Sequence, residues 1–146
     1  VTEAWDLMVT YGYLEAEYKD YLADLTGDGI ITDNSGLIPR NTPENTFGFT
    51  TSYTAQLGNG ELKGRVSYRF RDEMNSDSSN NPLGDLDSIE NVNATLSYSV
   101  DNYSITLWGR NLTDEREQRW ATIGGLTSRG WWNEPSTVGV TFNVSY

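Results

Sequence analysis

The chain contains no cysteine and no histidine. The first absence excludes a disulfide framework, a thiolate metal site and a cysteine nucleophile. The second removes the commonest general base, and the two together remove the usual zinc ligands. Cations are also scarce: 10 Lys and Arg stand against 21 Asp and Glu, a formal net charge of −11. Such a surface repels a phosphate backbone, so no nucleic-acid partner is expected. Only 36% of the 146 residues are hydrophobic and mean hydropathy is −0.57. No stretch approaches the ~20 consecutive apolar residues that a membrane-spanning helix needs. That excludes helices as spans but not strands, whose alternating pattern averages out in hydropathy. The chain starts at Val1, not at Met, and a strand pattern is already running by Trp5. The expectation is a segment truncated ahead of Val1, its signal peptide missing.

What is present is aromatic: five Trp and nine Tyr, with 14 Gly. A disordered chain is poor in such residues. An all-β chain whose strands are apolar on one face only has this composition. Apolar residues indeed alternate with Thr, Ser, Asn, Gly, Lys and Arg over six windows: Trp5–Tyr13, Phe47–Leu57, Leu62–Phe70, Val92–Val100, Tyr103–Gly109 and Val138–Tyr146. Period two predicts strands, and helical spacing fits none of these windows.

The connections alternate between short and long. Gly58-Asn59-Gly60 and Asp101-Asn102 have hairpin chemistry, whereas roughly 19–45, 74–87 and 117–135 are long and polar. In an up-and-down meander this order places the tight turns at one rim and the long loops at the other, the arrangement of outer-membrane barrels. The predicted fold is therefore all-β: an antiparallel up-and-down meander of about six long strands, part of a transmembrane β-barrel. The smallest such barrels have about eight strands, so further strands are expected from elsewhere.

The string Leu107-Trp108-Gly109-Arg110-Asn111-Leu112-Thr113-Asp114-Glu115 resembles the penultimate-strand signature of TonB-dependent receptors. The ending Glu134-Pro135-Ser136-Thr137-Val138-Gly139-Val140-Thr141-Phe142-Asn143-Val144-Ser145-Tyr146 is similar to their final strand, and Pro39-Arg40-Asn41-Thr42-Pro43 fits the same segment. This resemblance implies that residues 1–146 are the C-terminal part of a barrel of about twenty-two strands. It also implies a plug domain and an N-terminal segment contacting the TonB complex, the TonB box, neither present here. The implied role is active uptake of a scarce nutrient, such as a ferric siderophore, cobalamin or a sugar, across the bacterial outer membrane. The last strand, through Thr137, Gly139, Phe142, Val144 and Tyr146, resembles the signal read by the barrel-assembly machinery. An exposed strand edge offered for pairing is its physical basis.

Three groups of residues are candidates for sites. Lys63, Arg65, Arg69 and Arg71 lie opposite the apolar set of the third strand. In a barrel they would line the lumen and could guide an anionic ligand, or simply form a polar wall paired with a plug. Trp120, Trp131 and Trp132 lie in the last long connection, where they could stack on a ligand at the mouth or serve as loop packing or an interfacial girdle. The third group is the loop Asp24–Ser35, which resembles an EF-hand: Asp24, Thr26 and Asp28 at positions one, three and five, Gly29 at six, the Ile30 carbonyl at seven and Ile31 as anchor. Asp33 could substitute for the missing acid at position twelve, giving a calcium site, while the alternative is an acidic Asp-Gly turn. The carboxylates Asp85, Asp87 and Glu90, and Asp114, Glu115 and Glu117, lack partner chemistry, so no enzyme is expected. Two other classes stay open: a soluble calcium-dependent carbohydrate-binding β-domain, and a small lipocalin-like barrel. Both need the apolar face turned inward.

Overall fold

The computed structural model describes residues 4–124 and 127–146. Its strands are β1 (Ala4–Tyr13), β2 (Leu22–Ala23), β3 (Thr32–Asp33), β4 (Asn45–Leu57), β5 (Gly60–Arg71), β6 (Met74–Asn75), β7 (Asp85–Leu86), β8 (Ile89–Val100), β9 (Tyr103–Arg110), β10 (Gln118–Gly124), β11 (Thr127–Trp132) and β12 (Thr137–Val144). Among the described residues the one helical turn is a 3-10 turn at Pro82–Gly84.

Six strands form a single antiparallel sheet in the order β1-β4-β5-β8-β9-β12, each paired with its neighbour in sequence among these six. The six predicted windows are these six strands. The sheet is open, with β1 and β12 at its edges. Strands β1, β4, β5 and β8 run 10 to 13 residues, the length a tilted strand needs to cross a bilayer. The β4–β5 and β8–β9 turns each begin on a positive φ, Gly58 at 63° and Asp101 at 49°. Only Gly, Asn and Asp adopt that region readily, which is why these residues mark the turns.

The register aligns the apolar sets into one continuous face. One row crosses the sheet as Trp5, Tyr53, Gly64, Leu96, Leu107 and Val140; the next as Leu7, Thr51, Val66, Ala94, Gly109 and Val138. Aliphatic side chains dominate these middle rows. Aromatics crowd towards both rims: Tyr98, Tyr103 and Phe142 near the tight turns, and Tyr11, Phe47, Tyr68 and Phe70 near the long loops. Tyr103 stacks on Phe142 at 6.3 Å and Phe47 meets Tyr68 at 6.1 Å. Two aromatic bands around an aliphatic belt match a bilayer with its two interfaces.

Among the described residues nothing covers this face. Leu107 is 51% exposed and Val140 63%. A sandwich or a lipocalin would bury such residues, so the uncovered face disfavours both soluble readings. The buried hydrophobic residues among those described are Leu86, Ile89 and Ala121, and they sit at the long-loop end. There β10 and β11 form a hairpin that the sequence pattern did not reveal. β10 packs on β7 and the 3-10 turn, and the buried Ser76 hydroxyl donates to the carbonyls of Gly84 (2.9 Å) and Ala121 (3.2 Å). The first long loop joins the second through Asn80, whose amide donates to Ile38 O and whose Oδ1 accepts from Ile38 N, both at 2.8 Å. The loops thus form one hydrogen-bonded layer over one end of the sheet.

Candidate functional site

The opposite face of the sheet is polar. Its rows include Ala4, Thr54, Lys63, Ser97, Thr106 and Thr141, and then Asp6, Ser52, Arg65, Thr95, Trp108 and Gly139. Where this face meets the long loops it opens into a cleft of about 990 Å³. The charged lining is Arg69 and Arg71 from β5, Arg110 from β9, Glu117 and Arg119 at the base of the hairpin, and Glu134 before β12. Four arginines against two glutamates leave an excess of two positive charges, in a chain whose net charge is −11.

The four cations are held in three ways. Arg69 and Arg119 share Glu117, at 3.5 and 3.8 Å. Arg71 donates to the carbonyls of Asp72 (3.0 Å) and Asp87 (3.1 Å), so its guanidinium is positioned by backbone oxygens; among the described residues it forms no ion pair, and Glu117 acts on it by charge at longer range. Arg110 lies over the Trp108 ring, 5.3 Å from its centroid. Trp108 is fixed in turn: its Nε1 donates to Thr141 Oγ1 at 3.1 Å, and its ring lies across Gly139. A Cβ at Gly139 would fall 2.3 Å from Trp108 Cζ2, far inside contact distance, so only glycine leaves room for the ring.

Beside the cleft, Asn111 organises the wall. It is 6% exposed and adopts a positive φ of 49°. Its amide donates to Glu115 O (2.9 Å) and Glu134 O (3.0 Å), while its Oδ1 accepts from Asn91 Nδ2 (3.0 Å) and Glu115 N (3.1 Å). Asp114 accepts from Ser136 N at 2.9 Å. These bonds fasten the start and the end of the last long connection to one another. Asn133 closes the hairpin base by accepting from Glu117 N (3.0 Å) while donating its own N–H to Glu117 O (2.9 Å).

A family model described as "TonB dependent receptor-like, beta-barrel" matches residues 2–112. The chain belongs to this family. Among solved structures it is similar to the ferric yersiniabactin uptake receptor FyuA from Yersinia pestis, with a TM-score of 0.78 at 15% identity. The likeness covers 97% of this chain and 21% of that one, so the chain spans about a fifth of the length of the receptor it matches. At that identity it speaks for the fold. No curated protein matches the chain significantly. The six-stranded sheet is therefore a wall segment of an outer-membrane barrel, its apolar face towards lipid and its polar face towards the lumen. The family and the solved neighbour are receptors, not enzymes. In this barrel the long-loop rim is the extracellular one, and the arginine cleft lies at its mouth.

The receptor barrel separates the residues singled out from sequence. Of the four β5 cations, Arg69 and Arg71 line the cleft, whereas Lys63 and Arg65 lie further down the lumenal wall. Arg110 and Arg119, which the sequence did not single out, complete the cluster. Trp132 lines the cleft, and Trp131 lies on the other face of β11, 73% exposed. The backbone of Trp120 is in β10, and its side chain lies outside the described residues.

In the Asp24–Ser35 loop, Asp24 Oδ1 accepts from Gly27 N (2.7 Å) and Thr26 N (3.2 Å), and Oδ2 from Gly29 N (2.7 Å). The Gly29 N–H, reinforced by the Gly27 N–H and the Thr26 hydroxyl, holds the Asp24 carboxyl below its ordinary range. Asp28 accepts from Ile30 N (2.8 Å), and Asp33 from the Ser35 hydroxyl (2.6 Å). Among the described residues no three acidic side chains converge as a metal cluster. Ile31 is 70% exposed, so it does not anchor the loop as position eight of an EF-hand would. The carboxylates therefore each close a turn of their own.

Proposed function

We propose that the chain is the C-terminal part of the barrel of an outer-membrane receptor that actively imports a scarce anionic nutrient, a ferric siderophore or a similar chelate. The observation that carries this is the cleft: four of the chain's ten cations gather at the extracellular mouth of an otherwise acidic protein. A cationic site with low-dielectric walls concentrates anions and speeds their capture. The name of the solved neighbour, a ferric yersiniabactin uptake receptor, supports the ligand class. Trp132 adds an aromatic surface on which a flat ligand ring can stack. The further partners of such a receptor are its own plug domain inside the barrel, the TonB complex, the surrounding outer-membrane lipid and the barrel-assembly machinery. On this proposal Thr137, Gly139, Phe142, Val144 and Tyr146 present the last edge to that machinery, and the barrel has no enzymatic role.

The test is uptake by cells whose sole receptor is the full-length protein, offered iron-55 chelates that differ in charge. The expected result is import of an anionic chelate, reduced at least tenfold in the Arg69→Gln/Arg110→Gln variant at unchanged receptor level. Import of neutral chelates only, or undiminished import by the variant, would overturn the proposal.

A further inference from the structure

We infer that Glu117 is a displaceable counter-ion: its carboxylate occupies the place between Arg69 and Arg119 that the ligand's anionic group takes, and so sets how tightly the cleft binds an anion. The inference rests on the cleft being the binding site for an anionic ligand.

Three observations carry it. The Glu117 side chain is only 13% exposed, whereas Arg69 and Arg119 remain 61% and 65% exposed. The glutamate is bridged by two guanidinium groups that solvent, and so an incoming anion, can still reach. Both contacts, 3.5 and 3.8 Å, are longer than a tight charge-assisted hydrogen bond, and neither is a bidentate fork. Because both guanidinium groups are more than half exposed, the pairs are screened by water, and exchanging one carboxylate for another costs little. Finally, the backbone of Glu117 is held without its side chain, by the paired hydrogen bonds to Asn133. The carboxylate can leave while the base of the hairpin stays in place.

Two consequences follow for a ligand. Its anionic group meets a competitor that must be displaced, which weakens binding of a monoanion. A multiply charged chelate retains an advantage, because Arg71 and Arg110 form no ion pair among the described residues and remain for its second charge.

The experiment uses the purified full-length receptor in detergent, with citrate as the probe and titration calorimetry as the readout. Removing one like charge a few ångströms from the bound anion predicts about tenfold tighter citrate binding by E117Q than by the parent. E117D, which keeps the charge, should bind like the parent, and Arg69→Gln added to E117Q should abolish the gain. A purely structural role for Glu117 predicts the reverse, weaker binding by E117Q as the hairpin loosens, and that result would overturn the inference. Equal, measurable binding by E117Q and parent would also overturn it, whereas no binding by the parent would overturn the reading of the cleft as an anion site. Failure of the cleft as an anion site is separable: citrate would then bind the parent and the Arg69→Gln/Arg110→Gln variant equally.

Discussion

Gly139 has two competing explanations, and they make opposite predictions. One is the assembly signal, in which a glycine is part of the pattern read on the last strand. The other is local: Gly139 makes room for Trp108 on the lumenal face. The geometry gives the magnitude. In Gly139→Ala the new Cβ would stand 2.3 Å from Trp108 Cζ2, 2.7 Å from Cε2 and 2.9 Å from Cη2. The contact is with the broad ring, not a flexible tip, so the indole must tilt away. That breaks the Trp108–Thr141 hydrogen bond, about 1 kcal/mol. It also loosens the Arg110 contact, about 0.5–1 kcal/mol. An off-rotamer side chain adds about 0.5–1.5 kcal/mol, so the total is about 2–3.5 kcal/mol, towards the upper end of the range for overpacking. In a Trp108→Ala background the obstacle is gone, and Gly139→Ala should cost less than about 0.5 kcal/mol. The double-mutant cycle therefore predicts a coupling energy of about 2 kcal/mol. The assay is urea unfolding of the full-length receptor folded in lipid vesicles, with outer-membrane levels measured in parallel. If Gly139→Ala is as harmful without Trp108 as with it, the steric account fails and the assembly signal stands.

Other expectations follow from the same geometry. Leu107→Arg or Val140→Arg should each destabilise the barrel by roughly 2–4 kcal/mol near the bilayer midplane, while Thr106→Arg and Thr141→Arg should be better tolerated in unfolding titrations. Asn111→Ala should cost about 3 kcal/mol, since it leaves buried partners without their bonds, and protease cleavage of the last long connection should accelerate. The Asp24 carboxyl titrates below its ordinary value in the folded loop, so its contribution is complete above about pH 4 and is lost as the pH falls through the lowered value. A nitroxide at Ile30 should accordingly keep constant mobility from pH 8 to 5 and loosen below about pH 4, a loosening already present at neutral pH in Asp24→Asn. Calcium tests the same loop: immobilisation of the label that disappears in Asp24→Ala/Asp28→Ala would assign the ion there, and an unaffected label would leave an acidic turn.

The six wall strands were legible because lipid imposes a simple rule: every second residue from Leu62 to Phe70, or from Val138 to Val144, must be apolar or glycine. Turn chemistry at Gly58 and Asp101 then fixed which strands are neighbours. The β10–β11 hairpin was not legible, because it faces other loops and not a bilayer. Its Gln118, Arg119, Thr127 and Arg129 carry no such alternation. The cleft was half legible. Arg69 and Arg71 share the period of one strand, whereas Arg110 and Glu117 join them only through the register of β5, β8 and β9 and through the hairpin base. The Asn111 signature was recognised as a motif, but its reason, one buried amide that fastens both ends of a loop, needs Glu134 and Asn91 brought to it across 23 and 20 residues of chain. The pairing of Gly139 with Trp108 likewise exists only in the register of β9 and β12.

The central claim is that this sheet separates lipid from lumen. A chain without cysteine lends itself to single-cysteine labelling, so nitroxides can be placed one at a time along β5 and β9 of the full-length receptor in outer-membrane vesicles. Accessibility to oxygen, which dissolves in lipid, and to a water-soluble nickel chelate should alternate with period two. Labels at Leu62, Gly64, Val66, Ile105 and Leu107 should favour oxygen, and those at Lys63, Arg65, Ser67, Ser104 and Thr106 the chelate. Uniform accessibility along either strand, or alternation with the two sets exchanged, would contradict the account.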